Sequence, residues 1–136
     1  MTKTTMAFMF GAMLAVGAVG ISPAAERVFD VRALGAKGDG GTDDTAVIQK
    51  ALDDCGKAGG GTVKLPAGNY YSKPLTIKTK TTLLIEAGAK LIASTNQSDF
   101  MKVTGDWTKA KSGGDFVPFL SGKDLQDVTI AGQGTI

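Results

Sequence analysis

A pair of apolar residues, two positions apart, recurs along this chain ahead of a turn, and that recurrence limits its possible folds more than any other feature. Val63 and Leu65 precede a turn at Pro66-Ala67-Gly68; twenty residues on, Leu83 and Ile85 precede Glu86-Ala87-Gly88. A third copy, Val128 and Ile130, stands forty-five residues further along, with a turn one residue shorter at Ala131-Gly132. Period-two alternation predicts strands at these copies, at Asn69–Ser72 and Leu75–Lys78 in the first interval, and at Leu91–Ala93 and Val117–Leu120 in the second. Three short strands in about twenty residues make one coil of a β-solenoid, whose inward side chains are buried only by stacking on the next coil. The expected fold is therefore all-β, a β-solenoid. A small sandwich with turns every 8–12 residues or so is the alternative that the recurrence disfavours.

A stack of this kind leaves strand edges and core open at its end, and something must cover them. The stretch before the first copy can do so. Phe29-Asp-Val31 reads as a half-buried strand, and Gly35, Gly38, Gly40 and Gly41 read as a turn. Thr42 is the expected N-cap of an amphipathic helix, with Asp43 and Asp44 in its first turn, where the helix dipole favours carboxylates. Val47, Ile48, Ala51, Leu52, Cys55 and Ala58 fall on one stripe at about 100° per residue. Gln49, Lys50, Asp53, Asp54 and Lys57 fall on the other, with Asp53 and Lys57 spaced as an i,i+4 ion pair. Gly59-Gly60-Gly61 ends the helix. Thr42, Asp43, Asp44, Val47, Ile48 and Leu52 are thus the expected structural cap.

Neither the Gly-rich turn nor the paired aspartates predict chemistry. Gly38-Asp-Gly-Gly41 lacks the Gly-Lys-Ser/Thr of a phosphate loop, and two aspartates beside it would repel an anion. Adjacent residues on a helix point about 100° apart, so Asp43–Asp44 and Asp53–Asp54 are not facing pairs. There is no histidine among the 136 residues, which removes His-dependent triads and His metal ligands. No spacing fits a calcium loop, and no metal or other cofactor is expected. Charge is near balance, 15 basic against 13 acidic residues, with no clustered basic tract in the sequence that predicts nucleic-acid binding.

Residues 1–24 read as a secretory signal peptide. Lys3 precedes an apolar run from Met6 to Ile21, and Ser22-Pro-Ala-Ala25 supplies small residues for cleavage after Ala24. The run is short for a membrane span. Residues 25–136 are the expected mature part, exported to the periplasm or beyond, without stable membrane insertion and monomeric. The single Cys55 lies on the apolar stripe and is expected to be buried. In the polar loop Thr95–Asp115, Trp107 beside Lys109 and Lys111 could stack and pair with a sugar acid; the plainer expectation is that Phe100 and Trp107 pack the loop onto the coils. Asn96-Gln-Ser98 is an N-glycosylation sequon, which matters only in a host that glycosylates.

Three segments carry a family resemblance: FDVRALGAKGDGGTDDTAVIQKAL, GGGTVKLPAGNYYSKPLTIKTKTTLLIEAGAKLIAS and DVTIAGQGTI. Together they resemble the opening of polygalacturonase-type glycoside hydrolases (family 28), within the pectate-lyase-like right-handed parallel β-helix superfamily. The resemblance implies a right-handed helix and a secreted enzyme that hydrolyses galacturonan in pectin with inversion. An inverting pair of carboxyls stands about 6.5–9.5 Å apart to admit water. The family's catalytic motifs are Asn-Thr-Asp, Asp-Asp, Gly-His-Gly and Arg-Ile-Lys on later coils. Only Asp-Asp occurs here, on the capping segment, so no catalytic residue is assigned to this chain.

The leading expectation is the N-terminal capped part of a pectin-directed glycosidase, catalytically incomplete as it stands. A pectate-lyase-like or epimerase-like uronate enzyme is the alternative within enzymes, and a β-helix surface or adhesin module is the alternative outside them. Since the last coil has no neighbour, the isolated 26–136 piece should be unstable or aggregate. A cooperative thermal transition with monomeric light scattering would contradict that expectation.

Overall fold

The computed structural model describes residues 26–102 and 116–136; the expected signal peptide at 1–24 and Trp107 lie outside them. All strand pairing within its sheets is parallel. One sheet holds β1 (Val28–Asp30), β3 (Gly61–Leu65), β6 (Thr81–Ile85) and β9 (Thr129–Gly132), in that order. A second holds β2 (Asp39–Asp43), β4 (Gly68–Ser72) and β7 (Ala89–Ala93); a third holds β5 (Leu75–Thr76) and β8 (Leu120–Ser121). The chain visits the three sheets in rotation, and each return lands beside the strand it left one coil earlier. This is the start of a right-handed parallel β-helix, the hand expected for parallel crossovers.

Val63 lies opposite Leu83 and Leu65 opposite Ile85, as the twenty-residue recurrence requires. The third copy enters two residues out of the expected register: Ile130, not Val128, faces Leu83, and Gly132 faces Ile85. A shift of two preserves the inward and outward faces of a strand, so alternation alone cannot distinguish the two pairings. Two predicted strands are also shorter or displaced. Val117–Leu120 is realised as Leu120–Ser121, and Leu75–Lys78 as Leu75–Thr76. Inward residues form the core: Val63, Leu65, Tyr70, Leu75 and Leu83 are fully buried. Burial falls away along the stack, and Ile130 is 49% exposed above the buried Leu83.

The helix α1 (Thr45–Lys57) completes the first coil. β1 and β2 open the first two sheets, and α1 lies where the third sheet would have its opening strand, against β5. Ile48, Ala51, Leu52 and Cys55 are buried and Val47 packs half-buried against them, as the apolar stripe predicts. Its exit is a Schellman turn: the Gly60 N–H donates to the Cys55 carbonyl at 2.9 Å and the Gly59 N–H to Gly56 at 3.1 Å, with Gly59 at φ 88°.

The entry differs from the expectation. Thr42 is not the N-cap. The predicted Gly-rich turn becomes β2, an irregular strand paired with β4, and Asp44 N–H still donates to Tyr71 at 2.9 Å. Strand pairing therefore persists to Asp44, which becomes the N-cap, and neither Asp43 nor Asp44 lies in the first turn. The Thr42 hydroxyl donates to Asp39 at 2.8 Å instead of serving the helix. Asp43 does accept the Thr45 N–H at 3.0 Å, so an orphan helix donor is met from one residue outside.

Gln49, expected on the solvated face, is half-buried and works on the third sheet. Its amide accepts the Thr76 N–H at 2.9 Å and donates to the Thr76 carbonyl at 3.0 Å, as a neighbouring strand would. The expected Asp53–Lys57 pair is replaced by Asp53–Lys78 at 3.3 Å, while Lys50 pairs with Asp54. Lys78 reaches across because the β5–β6 turn lies beside the helix.

Replacing Gln49 by Ala should lower stability by about 1–3 kcal/mol, the net worth of two side-chain to backbone hydrogen bonds. Gln49→Glu should be at least as damaging, since a carboxylate cannot donate to Thr76 and would stand against Asp53. Thermal melts of the three proteins check this; a glutamate variant equal to wild type would refute the amide's role.

Candidate functional site

Asp44 is the one carboxylate buried in the described core, 1% exposed. It accepts the Lys37 N–H at 2.8 Å through one oxygen and the Gly38 N–H at 2.9 Å through the other. An unpaired carboxylate inside a protein is costly, and two charge-assisted hydrogen bonds from backbone offset that cost. The same contact disposes of a phosphate-loop function, since the N–H groups that would cradle an anion are already taken. Asp39, on the surface of the same turn, accepts from Gly41 N–H at 3.0 Å, Thr42 N–H at 2.7 Å and the Thr42 hydroxyl. Those bonds to Thr42, aided by Gly41, hold its carboxyl down at about 2.

The two Asp-Asp pairs diverge, as adjacent positions should. Asp43 turns to Thr45 and Lys73, whereas Asp44 turns inward. Asp53 turns to Lys78 and Gln49, whereas Asp54 turns to Lys50. None of them forms a facing acid–base pair.

A polar ladder that periodicity did not reveal runs along one corner of the coils. Asp43 of the first coil meets the Lys73 ammonium at 3.5 Å, and Lys73 meets Asp99 at 3.9 Å. Asp99 accepts from the Ser94 hydroxyl at 2.6 Å, and Ser94 accepts from the Tyr71 hydroxyl at 2.9 Å and the Asn96 N–H at 3.1 Å. Asn96 in turn caps the short 3-10 turn Gln97–Phe100, accepting the Ser98 N–H at 3.2 Å. The ladder fastens three successive coils and the root of the loop, where Phe100 packs on Phe119 with ring centres 6.4 Å apart.

Its chemistry is structural. A general acid needs a raised pKa, and Asp43 is shifted the other way. The Thr45 hydroxyl, with help from Lys73, holds Asp43 below the usual carboxylate range. Ser94 is no free nucleophile, since its proton and acceptor sites are engaged and no histidine exists to activate it. Burial pushes the Tyr70 phenol up, and its hydroxyl donates to Pro66 at 2.6 Å. Cys55 is buried, its sulfur 3.6 Å from the Thr81 hydroxyl. Among the described residues no group of three or more Cys, His, Asp or Glu could hold a metal. No helix among them is long and apolar enough to cross a membrane.

A stack of parallel coils with a helix completing its first turn defines the opening of a parallel β-helix. Comparison with known proteins narrows the class. Residues 28–117 match the family model described as rhamnogalacturonase A/epimerase, pectate lyase-like, and the chain belongs to that family. It is 36% identical over 85 residues to alginate lyase 7 of Azotobacter vinelandii, covering 62% of this chain and 10% of that protein. It is 39% identical over 77 residues to the exo-poly-alpha-D-galacturonosidase of Dickeya chrysanthemi, covering 57% and 12%. The family 28 exopolygalacturonase of Yersinia enterocolitica superposes over 82% of this chain and 20% of its own, at 31% identity and a TM-score of 0.66. The chain thus spans about a tenth of the length of the curated relatives it matches and a fifth of that solved structure.

Asp39 gives a pH test. Its folded pKa of about 2 lies below the unfolded value of 3.8, so the stability it contributes is present above 3.8 and lost as pH falls through 2. Carbon-13 NMR titration of its carboxyl should report a midpoint near 2, and Asp39→Asn should flatten the acid limb of stability between about pH 4 and 2. A midpoint near 4 would remove the carboxylate clamp from the turn.

Proposed function

We propose that these residues are the capped first coils of a secreted polygalacturonase-type enzyme that hydrolyses galacturonan with inversion. The supporting observation is the shared coil architecture with a family 28 exopolygalacturonase at 31% identity over 82% of the chain. The 39% identity to an exo-poly-alpha-D-galacturonosidase points the same way. In this reading the leader at 1–24 directs export and is removed. Trp107, outside the described residues, is kept as a sugar-stacking candidate on the sequence alone. The cap and ladder hold the stack so that later coils can carry the acid that protonates the leaving oxygen and the base that activates water. None of the carboxylates in the described coils performs either step.

A second reading, a uronate lyase or epimerase, is favoured by the 36% identity to alginate lyase 7. The two separate in one assay. The product of the complete reading frame is incubated with polygalacturonate and, separately, with alginate. Hydrolysis adds water across the bond, so reducing ends should appear from polygalacturonate without ultraviolet-absorbing products. NMR should show the first-formed anomer inverted. Absorbing, unsaturated products would mean β-elimination and overturn the hydrolase reading. Altered uronate composition without new chain ends would mean epimerisation, and no reaction on either polymer would leave a non-catalytic module.

A further inference from the structure

An open groove lies on the cap, between the second half of α1 and the turn that joins β5 to β6. It is lined by Asp53, Gly56, Lys57, Lys78 and Thr79 and has a volume of about 580 Å³. Two ammonium groups therefore stand on its walls, one from the helix and one from the turn. Lys57 makes no ion pair among the described residues, nor does Lys80 two residues beyond Lys78. Lys57 complements the negative end of the helix dipole. That explanation does not extend to Lys78 or Lys80, which come from another element.

The groove is built around the Lys78 stem. A Cβ on Gly56 would stand 2.8 Å from Lys78 Cβ and 2.9 Å from its Cγ. Glycine at this helical position therefore lets the lysine lie across the helix, at the usual cost of glycine in a helix interior. Asp53 pairs with the Lys78 head at 3.3 Å, and the lysine side chain, 41% exposed, remains open to a ligand in the groove. Lys80 is held at φ 59°, with its N–H on the Gln126 carbonyl at 2.8 Å and its own carbonyl accepting from Gly61 at 3.0 Å. A left-handed lysine is uncommon, and this one is fixed from both sides, which keeps the turn and its lysines in place.

We propose that this groove is a non-catalytic binding site for an anionic polysaccharide, with a sugar carboxylate between Lys57 and Lys78. Asp53 and the Thr79 hydroxyl accept from ring hydroxyls. The ligand class fits a carboxylate sugar better than a nucleic acid, because Asp53 inside the groove opposes a dense row of phosphates. The identification of the ligand as a polyuronate rests on the proposed function. The site itself sits on the capping end, so it would hold the polymer away from the later coils and raise its local concentration without touching the reacting bond.

The test uses the full-length protein, its Lys57→Gln/Lys78→Gln variant and a Lys57→Arg/Lys78→Arg control. Mobility is measured in native gels containing de-esterified polygalacturonate, alginate, fully methyl-esterified pectin or DNA. Wild type should be retarded by at least one of the two polyanions and not by the esterified polymer, and added salt should weaken the retardation. The glutamine variant should lose about threefold or more in affinity, as expected for two exposed charge contacts. Its turnover on whichever short uronate oligomers the wild type processes should be unchanged, and the arginine control should keep both. Equal retardation of wild type and glutamine variant would overturn the site. So would an equal loss on esterified pectin. Retardation in the gel requires no turnover, so an inactive wild type would defeat the proposed function while leaving the groove to be judged by its lysines. Retardation by DNA in place of either polyuronate would reassign the ligand and overturn the proposal.

Discussion

The pairing of one side-chain amide with one strand edge shows what the end of this stack requires. A parallel strand exchanges hydrogen bonds in both directions with the coil before it and the coil after it, so a strand of the first coil has one side without a partner. β1 and β2 are those strands in two of the three sheets. The third sheet opens with β5, whose exposed Thr76 groups would be left to water or to another chain. Gln49 answers with an acceptor and a donor in the spacing of a peptide unit. The helix behind it covers the core with Ile48, Leu52 and Cys55. One element thus satisfies an edge and a core together, which a further strand could not do without exposing an edge of its own.

The depth of the structure that was legible follows from the same geometry. A coil buries its residues against the next coil at the same place, so the recurrence of Val63/Leu65 as Leu83/Ile85 is a physical register that can be read from the chain. The helix stripe was legible too, because 3.6-residue periodicity needs no partner to be recognised. Register between Leu83 and Ile130 was not, since a two-residue slip keeps every side chain on its face. The second sheet hides a smaller irregularity: Gly68 faces Ala89, an offset of twenty-one residues against twenty in the first sheet. A one-residue difference in the turn absorbs it, with Gly88 at φ 82° allowing the tighter path.

What escaped the sequence was decided by competition among equivalent residues. Thr42, Asp43 and Asp44 are all good N-caps, and propensity gives no reason to prefer the last. The choice was made by Tyr71, whose carbonyl keeps Asp44 N–H in strand pairing and delays the helix to Thr45. The polar ladder escaped for a related reason. Asp43, Lys73, Ser94 and Asp99 are ordinary surface residues until the coils are stacked; their closeness follows from register, not from spacing in the chain. Lys73 and Ser94 follow the paired ends Ser72 and Ala93 at the second sheet's offset of twenty-one, whereas the twenty-residue recurrence would have set Lys73 against Ala93.

The division of labour in the chain explains why its opening resembles proteins of different activity. Capping an edge, turning between coils and burying an apolar column impose the same demands on any β-helix, whatever bond its later coils break or rearrange. Asp39, Asp44 and Gln49 answer those demands with hydrogen bonds that are complete within the cap. Asp39, whose ionised form is held by Thr42 and Gly41, is poorly suited to serve as a general acid, and both oxygens of Asp44 are taken by backbone N–H groups inside the core. The residues that make the cap secure are therefore the ones least able to serve catalysis. An alginate lyase and a galacturonosidase can share the architecture of the opening while differing in the chemistry their own active sites perform.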